Sequence, residues 1–256
     1  MTPRPDPVAS AERAHFEAHG FAVRRCLFSG AALDALRCGV AELQALPETP
    51  GRIMKYFDPL AAAPDGRLLN RIENFAPYHA ALNGVVQGPE LLGGAAALLG
   101  EPAVLFKDKI NLKLPGGAGF EPHQDAQAGW NEYASLFVTA AVAVDPAGPE
   151  NGCLELARWP HRRVLIGALW RPIEPEQLSG IRFEPLPMQP GDAVFFDSYL
   201  PHRSGPNPTS SARRVLYVTY NRAAEGDQRA RYFASKRASY PPDCERAPDR
   251  SYVYRV

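Results

Sequence analysis

The stretch FKDKINLKL, residues 106–114, alternates between two kinds of side chain along its whole length. Alternation with a period of two is typical of a β-strand whose two faces meet different surroundings. The apolar side chains share one face with a single acid, and these residues are Phe106, Asp108, Ile110, Leu112 and Leu114. The other face carries Lys107, Lys109, Asn111 and Lys113. The stretch therefore predicts a strand with one apolar and one polar face.

Downstream of this strand, short runs rich in β-branched and aromatic residues recur as far as residue 221. They are SLFVTAAVAV at 135–144, GCLEL at 152–156, AVFFD at 193–197 and RRVLYVTYN at 213–221. The segments between them contain the Pro, Gly and Asn residues that are typical of turns. Many short strands joined by turns favour an antiparallel sandwich or a jelly roll.

Upstream of residue 102 the sequence is mainly helical in character. Leucine and valine repeat at helical spacing within residues 30–46, and further helices are predicted over 10–20 and 89–99. Residues 51–83 show no clear period and are predicted to form a long loop.

The expected fold is α+β, with a jelly-roll core that carries the N-terminal helices on one of its sheets. The helical part covers about residues 1–101, the core about 102–222, and a tail the remaining residues 223–256. We expect the whole chain, 1–256, to form one domain.

The charge balance excludes some classes of partner. Lys and Arg number 28, as do Asp and Glu, so no net positive field attracts nucleic acid. The apolar stretches are far shorter than the roughly 20 residues that span a bilayer. Four scattered cysteines and the lack of a signal-peptide pattern favour a cytoplasmic protein. We expect a small-molecule substrate, no nucleic acid and no membrane partner, while the oligomeric state stays open.

His123 and Asp125 are the first candidate metal ligands. At positions i and i+2 of an extended segment, an imidazole and a carboxylate share one face and can bind one ion. His202, which follows the apolar run AVFFD, is the candidate third ligand. Two histidines and one carboxylate form the ligand set of non-haem Fe(II) oxygenases. Arg213, at the head of a strand, can pair with a carboxylate of a co-substrate, whereas Arg214 is expected on the opposite face.

These residues stand in segments that resemble the phytanoyl-CoA hydroxylase (phytanoyl-CoA dioxygenase) family of Fe(II)/2-oxoglutarate-dependent oxygenases. The resemblance covers nearly the whole chain. The segments are FEAHGFAVRRCLFSG at 16–30, KDKINLKLPGG at 107–117, HQDAQAGW at 123–130, ENGCLEL at 150–156 and PGDAVFFDSYLPHRSGPN at 190–207. Within the family, HQDAQAGW and FFDSYLPHRSGPN resemble hydroxylases of aminoethylphosphonates and of similar small polar substrates.

The resemblance implies a double-stranded β-helix with Fe(II), 2-oxoglutarate and O2 as cofactor and co-substrates. It implies that His123, Asp125 and His202 bind the iron. It also implies that Arg213 binds the distal carboxylate of 2-oxoglutarate. The residues implied to assist Arg213 are Ser204, Asn111 and either Lys107 or Lys109.

Three aromatic residues near the metal ligands are candidates for the substrate pocket: Trp130, Tyr133 and Tyr199. Their alternative role is packing in the core, because aromatic side chains bury large areas. The polar strand face holds more lysines than 2-oxoglutarate needs, which favours a small anionic substrate.

The expected function is hydroxylation of an unactivated C–H bond of a small polar molecule, similar to an aminophosphonate, with succinate and CO2 as co-products. Two alternatives stay open at this point. One is a natural-product tailoring hydroxylase for a larger or carrier-bound substrate, and the other is a non-catalytic jelly-roll binding protein.

Overall fold

The computed structural model describes residues 7–59 and 66–252. Residues 1–6 and 60–65 of the expected helical part, and 253–256 of the expected tail, lie outside the described residues. The helices are α1 Pro7–His19, α2 Gly30–Ala45, α3 Ala80–Val86, α4 Gly94–Leu99 and α5 Arg229–Ser239. The first six strands are β1 Phe21–Arg24, β2 Met54–Pro59, β3 Arg67–Glu73, β4 Ala103–Lys113, β5 Phe120–His123 and β6 Phe137–Ala143. The other five are β7 Leu154–Arg158, β8 Arg182–Pro185, β9 Ala193–Asp197, β10 His202–Ser204 and β11 Arg213–Arg222.

Two antiparallel sheets contain these strands. The larger sheet has the order β1-β9-β6-β11-β4-β3-β2, and the smaller sheet has the order β5-β10-β7-β8. Strands β4 to β11 supply four strands to each sheet, and this arrangement is the double-stranded β-helix. The predicted jelly roll and the α+β class are confirmed.

The larger sheet is buried on both faces, because helices cover one face and the smaller sheet the other. On the helix side, Leu36 and Val40 of α2 belong to the same apolar cluster as Phe195 and Leu216 of the sheet. Between the sheets, a second cluster contains Phe196 and is rich in valine, leucine and alanine. The predicted packing of N-terminal helices on one sheet is therefore confirmed. None of the helices in the described residues has the length and apolar character required to cross a bilayer.

Residues 51–83 were expected to be a loop, and that expectation is wrong. They contain β2 and β3, which extend the larger sheet beyond β4, and the first four residues of helix α3. The physical reason is that charged residues are buried on both faces of these strands: Arg71 and Glu73 on the inner face, and Lys55 on the helix side, where its Nζ donates to the carbonyl oxygen of Gln44. Charged residues at inward positions remove the apolar alternation by which a strand is recognised.

Two further expectations need correction. Helix α1 begins at Pro7 rather than after Ser10, although it does end before Gly20, which has a φ of +79°. The second concerns the pairing of β4 with β11. Thr219 lies opposite Lys107, but the next residue, Tyr220, lies opposite Leu105, so Phe106 has no partner in β11. This β-bulge moves Phe106 to the inner face beside Lys107, and Leu105 takes the apolar helix side.

Candidate active site

Strand pairing brings the predicted metal ligands together. His123 ends β5, His202 begins β10, and the two residues are register partners in the antiparallel pair. Asp125 opens a 3₁₀ turn after Gln124, whose backbone is extended. One ligand atom from each of the three side chains lies within 4.8 Å of the others. Within residues 7–59 and 66–252, this is the only such group of metal-ligating side chains.

Two buried glutamines fix the turn that carries Asp125. The Nε2 of Gln124 donates to the carbonyl oxygen of Tyr199 at 2.6 Å and to that of Val164 at 2.8 Å. The Oε1 of Gln127 accepts a bond from the backbone N–H of Gln124 at 2.8 Å. Gln124, which lies between His123 and Asp125, therefore points away from the metal-ligating side chains and anchors the turn.

Backbone carbonyls set the tautomer of both histidines. The Nδ1 of His123 lies 2.7 Å from the carbonyl oxygen of Glu121, and the Nδ1 of His202 lies 3.0 Å from that of Leu200. Because a carbonyl oxygen only accepts, each Nδ1 carries the proton. The lone pair of each Nε2 is left for a metal ion.

The charge states of the three side chains suit metal binding. Burial, and then the neighbouring His202, lowers the pKa of His123 to about 3, and burial also lowers the pKa of His202. Burial raises the pKa of Asp125, but His202 and Lys109 outweigh it, and the net shift is downward. The Oγ1 of Thr139 donates to Oδ2 of Asp125 at 3.2 Å. At neutral pH the site thus presents two neutral imidazoles and one carboxylate, a donor set that fits Fe(II).

A cavity of about 450 Å³ opens beside the metal-ligating residues. Its wall includes seven of the eight residues that sequence analysis assigned to the metal and the co-substrate: Lys107, Lys109, Asn111, His123, Asp125, His202 and Ser204. A cavity of this size suits a co-substrate and a small substrate together.

The three aromatic candidates separate into two groups. Trp130 and Tyr133 line the cavity. Tyr199 belongs instead to the apolar cluster on the helix side, and its hydroxyl donates to Oδ1 of Asn131 at 3.0 Å. The expected position of Tyr199 in the pocket wall is therefore wrong. Its backbone N–H donates to Oδ1 of Asp197 at 2.8 Å, and its ring packs in the apolar cluster rather than against the cavity.

Arg213 is buried at one end of the site, behind the cavity wall. It is 1% exposed, and its Nε and Nη1 have no hydrogen-bond acceptor among the described residues. The Oδ1 of Asn111 is likewise buried without a donor. Burial raises the pKa of Tyr217, and the adjacent guanidinium of Arg213 opposes that shift. Leaving two N–H groups of a buried guanidinium without acceptors is costly, so this pocket fits the carboxylate of 2-oxoglutarate.

Lys113 and Ser204 complete this end of the site. The Nζ of Lys113 donates to Oγ of Ser204 at 2.7 Å. Burial, and then the charge of Arg213, lowers the pKa of Lys113 to about 7. Two cationic side chains therefore lie close together beside the serine hydroxyl, where a carboxylate would relieve their repulsion.

Arg214 lies on the opposite face of β11. Its Nε and Nη2 bind the two carboxylate oxygens of Asp145 at 2.7 and 2.8 Å. This ion pair agrees with the opposite face expected for Arg214, and it fixes which arginine faces the site.

The other end of the cavity holds charged residues that sequence analysis missed. Glu73 of β3 is fully buried and pairs with Arg71, Lys107 and Lys236. Six strand residues, about 20 Å, separate Lys107 from the position paired with Arg213. This placement argues against the expected contact of Lys107 with the co-substrate carboxylate that Arg213 would hold.

Lys236 comes from helix α5, in the segment that looked only like a basic tail. The sequence did contain a signal for this helix, because Tyr232, Phe233 and Lys236 recur at helical spacing. In the structure all three side chains are largely buried. The tail, as far as residue 252, thus packs on the core, and several of its residues line the cavity.

Comparison with known proteins agrees with the fold and the site. The chain is 37% identical over 242 residues to a 2-aminoethylphosphonate dioxygenase from uncultured bacterium HF130_AEPn_1, covering 94% of this chain and 92% of the relative. It is 43% identical over 217 residues to a methylphosphonate hydroxylase from Gimesia maris, covering 83% and 80%. The crystal structure of EctD from S. alaskensis with 2-oxoglutarate and 5-hydroxyectoine has a TM-score of 0.72 at 21% identity, covering 88% and 84%.

Fold and site together define an Fe(II)- and 2-oxoglutarate-dependent dioxygenase, so the alternative of a non-catalytic binding protein is set aside. The chain belongs to the phytanoyl-CoA dioxygenase family, whose model matches residues 16–215. The expected family, enzyme class and cofactors are confirmed.

Proposed function

We propose that this enzyme hydroxylates a C–H bond of a small phosphonate. The observation that carries the proposal is the polarity of the cavity. Five of its lining residues are cationic, Lys107, Lys109, Arg203, Lys236 and Arg250, and only two carry a carboxylate, Asp125 and Glu132. Once Asp125 is assigned to the metal, the remaining wall favours an anion. Two relatives, which cover most of this chain, act on phosphonates according to their names.

The residues predicted to bind the metal and the co-substrate, apart from Lys107, have the following roles in this proposal. His123 and His202 bind Fe(II) through Nε2, and Asp125 binds it through a carboxylate oxygen. Arg213 holds the distal carboxylate of 2-oxoglutarate, and Ser204 and Asn111 assist it. Lys109, whose Nζ lies 4.9 Å from the centre of the Tyr217 ring, stands between the two ends of the cavity.

Iron(II) with 2-oxoglutarate supplies the oxidative chemistry, in which O2 delivers one oxygen atom to the substrate C–H bond and one to succinate while CO2 is released. The protein supplies orientation through the side chains that line the cavity. Trp130 and Tyr133 form an apolar wall against which the substrate carbon can lie. Gln124 and Thr139 hold Asp125 in place during turnover.

The proposal also covers the cellular compartment and the domain organisation of the enzyme. We place it in the cytoplasm, a reducing compartment, which is supported by free thiols at Cys26, Cys38, Cys153 and Cys244. We also propose that residues 1–256 form a single domain acting on a small-molecule substrate. The two sheets and the family match over residues 16–215 support this division.

A turnover screen tests the substrate class. Purified enzyme with Fe(II), ascorbate and 2-oxoglutarate is assayed for succinate with methylphosphonate, 2-aminoethylphosphonate, amino acids, betaines and acyl thioesters. We expect a small phosphonate to stimulate succinate formation several-fold above the rate without substrate. Stimulation only by carrier-linked or large uncharged compounds would overturn the phosphonate proposal and favour a tailoring hydroxylase.

A further inference from the structure

A second charged centre lies at the end of the cavity opposite Arg213. The Oε2 of Glu73 is 2.5 Å from Nζ of Lys236, and its Oε1 is 2.8 Å from Nε of Arg71 and 4.0 Å from Nζ of Lys107. We call these four residues the lysine cluster. They come from β3, β4 and α5, so the tertiary fold alone brings them together.

The lysine cluster carries more positive than negative charge. Three basic side chains surround one carboxylate. Burial lowers the pKa of Lys236 despite the opposing effect of Glu73, and the charges of Lys107 and Arg71 lower it further. An anion bound beside the two lysines would favour their charged forms, and a dianion would do so more strongly than a monoanion.

Two members of the lysine cluster face the cavity and two stand behind them. Lys107 and Lys236 line the cavity, whereas Glu73 and Arg71 do not. The Nζ of Lys107 lies 5.4 Å from the centres of the Trp130 and Tyr232 rings, one of which belongs to α5. The carboxylate of Glu73 therefore holds the two lysines in position from behind, without occupying the space in which a ligand would bind.

Helix α5 is anchored firmly enough to position Lys236. Arg229 in its first turn pairs with the buried carboxylate of Asp108 on β4. Tyr232 and Phe233 are both less than 10% exposed and belong to a buried cluster that also contains Phe106 and Trp130. A lysine held by such a helix is preorganised, so little conformational entropy is lost when a ligand binds.

We infer that Lys107 and Lys236 form the subsite for the phosphonate headgroup, with Glu73 as a positioning residue. The inference rests on the proposed function and assigns the recognition of its substrate to named residues. Ser235 and Ser239 of α5 line the same part of the cavity and offer hydroxyl groups to a tetrahedral oxyanion. The subsite favours a dianion over a monoanion, so it discriminates a phosphonate from a carboxylate or a sulfonate of similar size.

The first test uses the wild-type enzyme and three substrates that differ in their headgroups. They are 2-aminoethylphosphonate, 2-aminoethylsulfonate and 3-aminopropanoate, and the apparent KM of each is measured from succinate formation at pH 6 to 8. The second ionisation of a phosphoryl-type group has a pKa of about 6, so the dianion fraction rises from about half at pH 6 to nearly all at pH 8. We expect kcat/KM for the phosphonate, divided by that for the sulfonate, to rise about twofold over this range. The ratio removes pH effects that both substrates share, such as titration at the iron and 2-oxoglutarate sites. The charged groups that face the headgroup subsite are Arg71, Glu73, Lys107 and Lys236.

The second test uses variants of α5. Lys236→Met should raise the phosphonate KM at least about tenfold and reduce the preference over the sulfonate, because one charge-assisted contact is lost. Lys236→Arg should restore most of that preference. The matched control is Arg231→Met, which removes an exposed cation of the same helix that does not line the cavity. Lys107→Met, in β4, tests the other lysine, and we expect the same rise in the phosphonate KM and the same loss of preference over the sulfonate.

Separate outcomes overturn the inference and the proposed function. An unchanged phosphonate KM in both lysine variants, or a flat wild-type ratio between pH 6 and 8, would overturn the subsite and leave the hydroxylase standing. Lack of turnover of every phosphonate by wild-type enzyme that binds 2-oxoglutarate would overturn the proposed function itself. If a variant does not fold, the wild-type pH series still decides the matter.

Discussion

His123 and His202 are directly opposed residues of the antiparallel strands β5 and β10, and the centres of their imidazole rings lie 4.3 Å apart. The two Nε2 atoms therefore depend on the register of this strand pair. A slip by one residue would turn one imidazole to the other side of the sheet. Strand pairing in the smaller sheet thus positions the two histidines, and Asp125, in the turn that follows β5, supplies the third metal ligand.

The hydroxyl of Thr139 should contribute to iron affinity although it does not contact the metal. Thr139→Val removes its bond to Asp125, and loss of such a bond behind a metal ligand typically costs about 10- to 100-fold in affinity. Fe(II) binding is measured by anaerobic titration. Thr219→Val is the control, because its hydroxyl contacts Thr139 at 2.9 Å and leaves the bond to Asp125 in place. Equal affinity in wild type and Thr139→Val would contradict this role.

Arg213 and Arg214 should differ sharply when each is changed to methionine. Arg213→Met should raise the apparent KM for 2-oxoglutarate at least about 30-fold, which corresponds to ~2 kcal/mol for a lost charge-assisted contact. Arg214→Met should leave that KM near the wild-type value, because its guanidinium pairs with Asp145 on the other face. Initial rates of succinate formation at varied 2-oxoglutarate give both values. A large effect in Arg214→Met alone would show that the assignment of the two arginines is reversed.

The affinity for 2-oxoglutarate should fall as pH rises above 7. In the free enzyme the pKa of Lys113 is lowered to about 7, and a carboxylate bound beside Arg213 would raise it. Below pH 7 Lys113 is protonated with and without the ligand, and affinity does not change through this group. Above pH 7 binding must take up a proton, so the Kd rises by up to about tenfold per pH unit.

The visible charge-transfer band of the Fe(II)–2-oxoglutarate complex provides the measurement, titrated anaerobically between pH 6.5 and 8.5. Lys113→Met is the control, since it lacks the titrating group and should give a flatter dependence. The same pH dependence in both proteins would assign the proton to another residue.

Asp108 should be important for stability. Its Oδ2 accepts the backbone N–H groups of Phe75 and Ala76 at 2.7 and 2.9 Å, and its other oxygen pairs with Arg229. Asp108→Asn removes one partner of a buried ion pair, a change that typically costs about 3 kcal/mol or more. Urea denaturation followed by circular dichroism measures the free energy of unfolding. Glu184→Gln, in an exposed ion pair with Arg158, should have little effect.

Much of the metal site could be predicted from sequence because its determinants are local. His123 and Asp125 are two residues apart, and extended backbone at Gln124 puts both side chains on one side. Arg213 could be separated from Arg214 by the alternation of strand faces. These inferences need only a short segment of known secondary structure.

The substrate end of the cavity could not be predicted in this way. Glu73, Lys107 and Lys236 are far apart in sequence, and only the complete fold brings them together. Their strands and helix also look atypical, because charged residues occupy inward positions where apolar ones are expected. The bulge beside Phe106 is similarly invisible, since alternation read along β4 continues through it.

The fate of O2 tests the central claim most directly. Enzyme, Fe(II), 2-oxoglutarate and a phosphonate that stimulates turnover are incubated under ¹⁸O2, and both products are analysed by mass spectrometry. The account predicts one ¹⁸O atom in succinate and one in the hydroxylated phosphonate, with the two products formed in equal amounts. Succinate that forms without any hydroxylated phosphonate, or a product hydroxyl that carries oxygen only from water, would contradict it.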